Sequence, residues 1–200
     1  KIKMHTVGIC GSDIHYYEHG KIGQWKVNQP MVLGHEGSGT VIDVGKNEKI
    51  LKIGDRVCIE PQVVSKKTKE YKLGIYNYDQ KVKFWATPPI HGCLTPEVVF
   101  PGDMVFKIPD SLSYAEGAMV EPLAVGMQGV TKAQIKPGQI GLVMGCGPIG
   151  LVTALAALAG GCSKVYIADI LSEKLKICEH YSGLVPVDLS KENLPEKIMN

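Results

Sequence analysis

Nothing in this 200-residue chain reads as a membrane span, a disulfide framework or a nucleic-acid surface. Its longest apolar run, Ile149 to Ala159, is broken by Gly150 and Thr153. It falls well short of the roughly 20 apolar residues a bilayer demands, so no membrane partner is expected. No charged n-region and apolar h-region of a signal peptide open the chain. The six cysteines are scattered without paired spacing, four of them in or beside apolar segments. That usage fits reduced thiols in a cytoplasmic protein. Charge of one sign is also missing. The 22 basic and 20 acidic residues are intermixed, leaving +2 and no basic stripe, so nucleic acid is not an expected partner. Internal repeats and low-complexity tracts are absent too. The chain does not begin with methionine, and it is expected to be a piece of something longer. With 44% apolar and 21% charged residues, what remains is a soluble globular protein able to bury a core, as one large domain or two small ones.

Two rhythms divide it. Up to about residue 110, short strand-like runs (Gly39 to Val44, Arg56 to Glu60, Glu97 to Phe100, Met104 to Ile108) alternate with Gly and Pro turns. Then Ser113-Tyr114-Ala115-Glu116 has the form of a capping box and predicts a helix start at Ser113. An apolar strand Ile140 to Met144, a helix Ile149 to Ala159, a strand Lys164 to Ala168 and a helix from a Ser172 cap to about Tyr181 follow. Strand, helix, strand, helix predicts a parallel βαβ sheet. The expected fold is therefore α/β, with a β-rich domain over residues 1–115 and a βαβ domain over 116–200.

Chemistry concentrates at two places. Cys10 in Cys10-Gly11-Ser12-Asp13 is followed 25 residues later by His35-Glu36, both beside glycine turns. Thiolate, imidazole and carboxylate together suit zinc, and three protein ligands with an open position mark a catalytic rather than a structural site. The second place is Gly145-Cys146-Gly147-Pro148-Ile149-Gly150, a GxGxxG turn between an apolar strand and a helix. Gly145 would make the turn, Gly147 would admit a pyrophosphate, and Gly150 would let helix and strand pack. Asp169 follows Gly150 by 19 residues at a strand end. A carboxylate there accepts the ribose hydroxyls of NAD and repels the 2′-phosphate of NADP. Ile170 and Leu171 come next, with no arginine beside the acid. The remaining histidines His5, His19, His91 and His180 show no partner spacing. Cys58 and Cys93 read as buried apolar groups, and the methionines as gap fillers.

Taken together, these segments resemble the zinc-dependent medium-chain dehydrogenases, in the polyol branch that holds sorbitol and xylitol dehydrogenases (D-xylulose reductases). The resemblance runs through Val7 to Tyr17, Pro30 to Glu36, Gly54-Asp55-Arg56-Val57, Ala86-Thr87-Pro88-Pro89, Glu121-Pro122-Leu123 and Gly145 to Gly150. It implies a GroES-like catalytic domain followed by the first part of a Rossmann domain. It implies one catalytic zinc held by Cys10, His35 and Glu36, with Glu121 at the same site as a ligand or as an anchor. Ser12 and His15 would relay a proton, while Tyr16 and Phe84 would line the substrate cleft. Ile149, Asp169 and Lys174 would touch NAD, Lys174 standing where the family commonly has arginine. The implied reaction is oxidation of xylitol to D-xylulose, with sorbitol, L-iditol or arabinitol as alternative substrates and a homotetramer as the assembly. Many relatives carry a structural zinc in a four-cysteine lobe. Between Ile59 and Phe100 this chain has only Cys93 and the charged loop Ser65 to Glu70, so no structural zinc is expected. Two other readings stay open: a zinc-free quinone reductase of the same fold, and a non-catalytic nucleotide-binding protein or inactive fragment.

Overall fold

A computed structural model describes residues 1–199. Contacts divide the chain into two compact units, Lys1–Glu121 and Pro122–Asn200.

The first unit opens with β1 (Ile2–Gly8), helix α1 (Gly11–His19) and a small hairpin of β2 (Lys21–Ile22) and β3 (Trp25–Lys26). α1 ends at Gly20, which adopts φ +65, a left-handed conformation that suits glycine. Next come β4 (Glu36–Val41), β5 (Arg56–Ile59), β6 (Gln62–Val63), α2 (Lys69–Lys72), β7 (Lys83–Phe84), β8 (Glu97–Val98), β9 (Val105–Lys107) and α3 (Tyr114–Ala118). Five strands form an antiparallel sheet in the order β8-β1-β4-β5-β9. Ile2, Val41, Val57, Ile59, Trp85 and Val98 pack its core, each large apolar side chain contributing about 1.5–3 kcal/mol on burial. The register pairs Gly8 with Glu36, and the β1–β4 ladder shifts between Met4 and Thr6.

Several boundaries differ from the sequence expectation. β4 starts at Glu36 rather than Gly39 because its polar and glycine residues are held by β1, a long-range pairing that no local pattern announces. β8 and β9 are shorter than expected. The charged stretch Ser65 to Glu70 is loop only as far as Thr68, whose Oγ1 accepts the Tyr71 N–H at 3.3 Å and caps α2. The Ser113 cap forms as a reciprocal box. Ser113 Oγ accepts the Glu116 N–H at 3.2 Å, and Glu116 Oε2 accepts the Ser113 N–H at 2.7 Å.

Helix α4 (Val120–Ala133) leads into the second unit, which holds β10 (Ile140–Met144), α5 (Pro148–Ala159), β11 (Lys164–Asp169), α6 (Ser172–Leu175), β12 (Leu184–Asp188) and α7 (Leu194–Met199). β10, β11 and β12 form a parallel sheet in that order. Central β11 is dry: Val165, Ile167 and Ala168 are fully buried. Ser172 does not cap α6. Leu171 holds the cap position, while the Ser172 hydroxyl donates to Asp188 at 2.5 Å. α6 ends at Leu175, and the chain continues to His180 as a tighter 3₁₀ turn. No helix among the described residues is long and apolar enough to cross a membrane.

Candidate metal and nucleotide sites

Cys10 sits where β1 gives way to α1, and His35-Glu36 sits where the chain enters β4. Pairing of β1 with β4 brings these two junctions together. Donor atoms of Cys10, His35 and Glu36 all lie within 4.8 Å of one another, with His35 6% and Glu36 7% exposed. A Cβ on Gly8, opposite Glu36, would stand 2.1 Å from Glu36 Oε2, so the carboxylate occupies the space a side chain would fill.

Asp13 holds the junctions in place, a role the sequence reading did not assign. Its carboxylate is 2% exposed. Oδ2 accepts the Cys10 N–H at 3.0 Å, Oδ1 accepts the Gly34 N–H at 2.8 Å, and Oδ2 lies 3.8 Å from His35 Nδ1. The only signal was an acidic residue three positions after Cys10, which in a first helical turn reads as a dipole partner.

Charge is concentrated here under poor hydration. The His35 imidazole, as a hydrogen-bond partner of the sulfur, draws the Cys10 thiol below its usual range against the opposing effect of burial. His35 is raised: burial works against its charge, and Cys10 and Asp13 outweigh it. Burial is the chief cause raising both Glu36 and Glu121, with His35 opposing it in each case. Sulfur, nitrogen and oxygen donors converging around desolvated anions fit a divalent cation, and zinc accepts all three donor types.

A cavity of about 730 Å³ opens beside this cluster, with Ser12, Tyr16, His35, Phe84 and Trp85 in its wall. The Phe84 ring centroid is 5.5 Å from that of His35. Ser12, near Cys10 in the sequence and in the cavity wall, also draws the thiol down. His15 is not brought to the donors. It is exposed on α1 and packs edge-on against His19, with ring centroids 4.6 Å apart.

In the second unit, Gly145 turns the chain at φ +97. A Cβ on Gly150 would stand 1.8 Å from the Gly145 carbonyl oxygen, so the third glycine is obligatory. Nothing lies within 4 Å of a Cβ built on Gly147, leaving that backbone open to approach. Ile149 is exposed in the first turn of α5. Asp169 pins the turn from outside. Its Oδ2 accepts the Cys146 N–H at 2.8 Å and Oδ1 the Leu171 N–H at 2.9 Å. These backbone donors, then Lys174, hold the carboxyl below its ordinary range. Each oxygen keeps a second lone pair for a ribose hydroxyl.

D-xylulose reductase from Morganella morganii is 59% identical over 188 residues, covering 94% of this chain and 55% of the relative. Rat sorbitol dehydrogenase is 44% identical over 191 residues, covering 96% of this chain and 54% of the relative. An Escherichia coli oxidoreductase/dehydrogenase of unknown specificity superposes with a TM-score of 0.92 at 38% identity, covering 98% of this chain and 57% of that one. The chain thus spans little more than half the length of the curated relatives it matches. Residues 1–110 match the alcohol dehydrogenase GroES-like domain, and the chain belongs to that family.

Proposed function

We propose that this chain belongs to a zinc-dependent oxidoreductase that moves a hydride between a polyol and NAD, with xylitol and D-xylulose as the substrate pair. The observation that carries the reading is the convergence of Cys10, His35 and Glu36 within 4.8 Å, with His35 in the wall of a cavity of about 730 Å³. When bound, zinc supplies Lewis acidity and the nicotinamide accepts the hydride.

The chain's own residues do the rest. Cys10, His35 and a glutamate hold the metal. Glu36 is the geometric candidate, and half-buried Glu121, which feels the charges of His35 and Glu36, anchors the same site. Asp13 fixes the Cys10 and Gly34 backbone on either side of the site and sets its charge near the His35 ring. Tyr16, whose hydroxyl is kept protonated by burial, offers a donor and acceptor to a hydroxyl-rich substrate, and Phe84 supplies an apolar wall. The Ser12 hydroxyl, on a residue of the cavity wall, starts the proton's exit, which exposed His15 completes to solvent. Gly145, Gly147, Ile149 and Gly150 seat the pyrophosphate, Asp169 takes the ribose hydroxyls, and Lys174 stands beside it.

One zinc per chain is proposed. Supporting it, Cys93 is fully buried with its thiol pushed up to about 12 by desolvation, unlike a ligand poised to lose its proton. Family resemblance supports a cytoplasmic homotetramer. Steady-state kinetics of the intact protein with NAD, comparing xylitol, sorbitol, arabinitol and ethanol, tests the assignment. A kcat/KM for some polyol well above that for ethanol is expected, because buried groups built to bind hydroxyls are left unpaired by an analogue without them. Ethanol matching or exceeding every polyol overturns it.

A further inference from the structure

Asp188 ends β12 as Asp169 ends β11, and the two residues are partners in the parallel ladder. The loops beyond them are joined, since the Leu189 N–H donates to the Asp169 carbonyl at 3.0 Å. The Asp188 side chain is only 13% exposed while that of Lys191 is 68% exposed. Lys191 Nζ lies 2.8 Å from Asp188 Oδ2 and 2.9 Å from Ser172 Oγ. The Ser172 hydroxyl donates to that same Oδ2. Ser190 donates to Oδ1 through its hydroxyl at 2.5 Å and its N–H at 3.0 Å. Ser172 is three residues beyond Asp169, so this knot lies on the loop that leaves the ribose acid.

NADP differs from NAD by a ribose 2′-phosphate of nearly two negative charges, which calls for a cation and short-range donors. Ser172 and Lys191 are such a pair, and Asp188 engages both. Lys174, also beyond β11, already draws the Asp169 carboxyl down through its charge. We infer that Asp188 is a second determinant of cofactor choice: it withholds the Ser172 hydroxyl and the Lys191 ammonium from a 2′-phosphate, reinforcing the exclusion exerted by Asp169. The inference rests on the nicotinamide reading given above and adds a positioning residue to it, one that acts through Lys191 and Ser172.

Calorimetric titration of the intact protein with 5′-ADP and 2′,5′-ADP tests it without turnover. The comparison is made in an Asp169→Ser background, where the first barrier is gone. Adding Asp188→Asn, or Asp188→Ser as an independent second removal, is expected to shift the affinity ratio toward 2′,5′-ADP by on the order of tenfold, the scale of one charged hydrogen bond. A further Lys191→Ala is expected to abolish that gain. A ratio that stays put in both Asp188 variants, or a gain that survives Lys191→Ala, overturns the inference. So does loss of 5′-ADP binding in both Asp188 variants, which would make the residue structural. Failure of the unmodified protein to bind 5′-ADP would instead overturn the nucleotide reading itself, and the inference with it.

Discussion

Replacing Gly8 by alanine would separate the metal site from the fold. The added Cβ would lie 2.1 Å from Glu36 Oε2, 3.0 Å from Glu36 Cβ and 3.2 Å from Glu36 Cδ. Real Cβ contacts essentially never fall below 3.0 Å, so the carboxylate oxygen must retreat by about 1 Å. The oxygen is the free end of a flexible side chain and can swing away, and the 3.0 Å contact with Glu36 Cβ asks the strands to part by only a few tenths of an ångström, so the pairing of Gly8 with Glu36 is expected to survive. Zinc, however, tolerates ligand distances only within about 0.2 Å of ideal. The carboxylate therefore leaves the ligand set or holds the metal in strained geometry. The expected cost is on the order of 10- to 100-fold in zinc affinity, the range seen when a ligand's positioning is disturbed. Competition against a chromogenic chelator measures that affinity, and urea unfolding of the metal-free protein measures the fold. Zinc affinity within twofold of the parent, with Glu36 displaced in a crystal structure of the variant, would refute the assignment of Glu36 to the site. A loss of cooperative unfolding would refute the claim that the clash is local.

Other perturbations test different parts of the account. Asp13→Ala removes the acceptor for the Cys10 and Gly34 N–H groups and should weaken zinc by about 10- to 100-fold; chelator competition showing no change would sink its supporting role. Asp169→Asn should lower NAD affinity by about ten- to a hundredfold and relax discrimination against NADP, and fluorescence titration with both dinucleotides checks it. The Glu116 carboxyl is held below its ordinary range by the Ser113 N–H and hydroxyl. Its stabilising effect is thus fully present above the unfolded carboxylate pKa of 4.5 and is lost as pH falls through the lower folded value. Urea melts of the parent and Glu116→Gln should differ at pH 7 and converge in strong acid; a constant difference would contradict the cap.

The parts of this molecule legible from its residues were those in which the chemistry is local or unusual. Cys10, His35 and Glu36 stood out because thiolate, imidazole and carboxylate make a poor core and a good metal site. The glycine turn was readable because strand, turn and helix are contiguous. The Ser113 box formed as expected because its partner is three residues away. Where competing partners are distant, local reading failed. Ser172 looks like a helix cap, but the carboxylate of Asp188, 16 residues later, takes its hydroxyl. Asp13 looks like a helix-dipole residue, yet it bridges to Gly34 across 21 positions. α1 was not foreseen because Ser12 to His19 carries no apolar stripe, and only Asp13 and Tyr16 on it are buried. His15, expected to relay a proton toward solvent, lies on the exposed face of that helix.

X-ray absorption at the zinc edge of the metal-loaded intact protein tests the central claim most directly. The account predicts one zinc per chain with a first shell of one sulfur, from Cys10, and otherwise nitrogen and oxygen, with the sulfur lost on Cys10→Ser. A shell of several sulfurs, no zinc at stoichiometric level, or a spectrum unaltered by Cys10→Ser would contradict it.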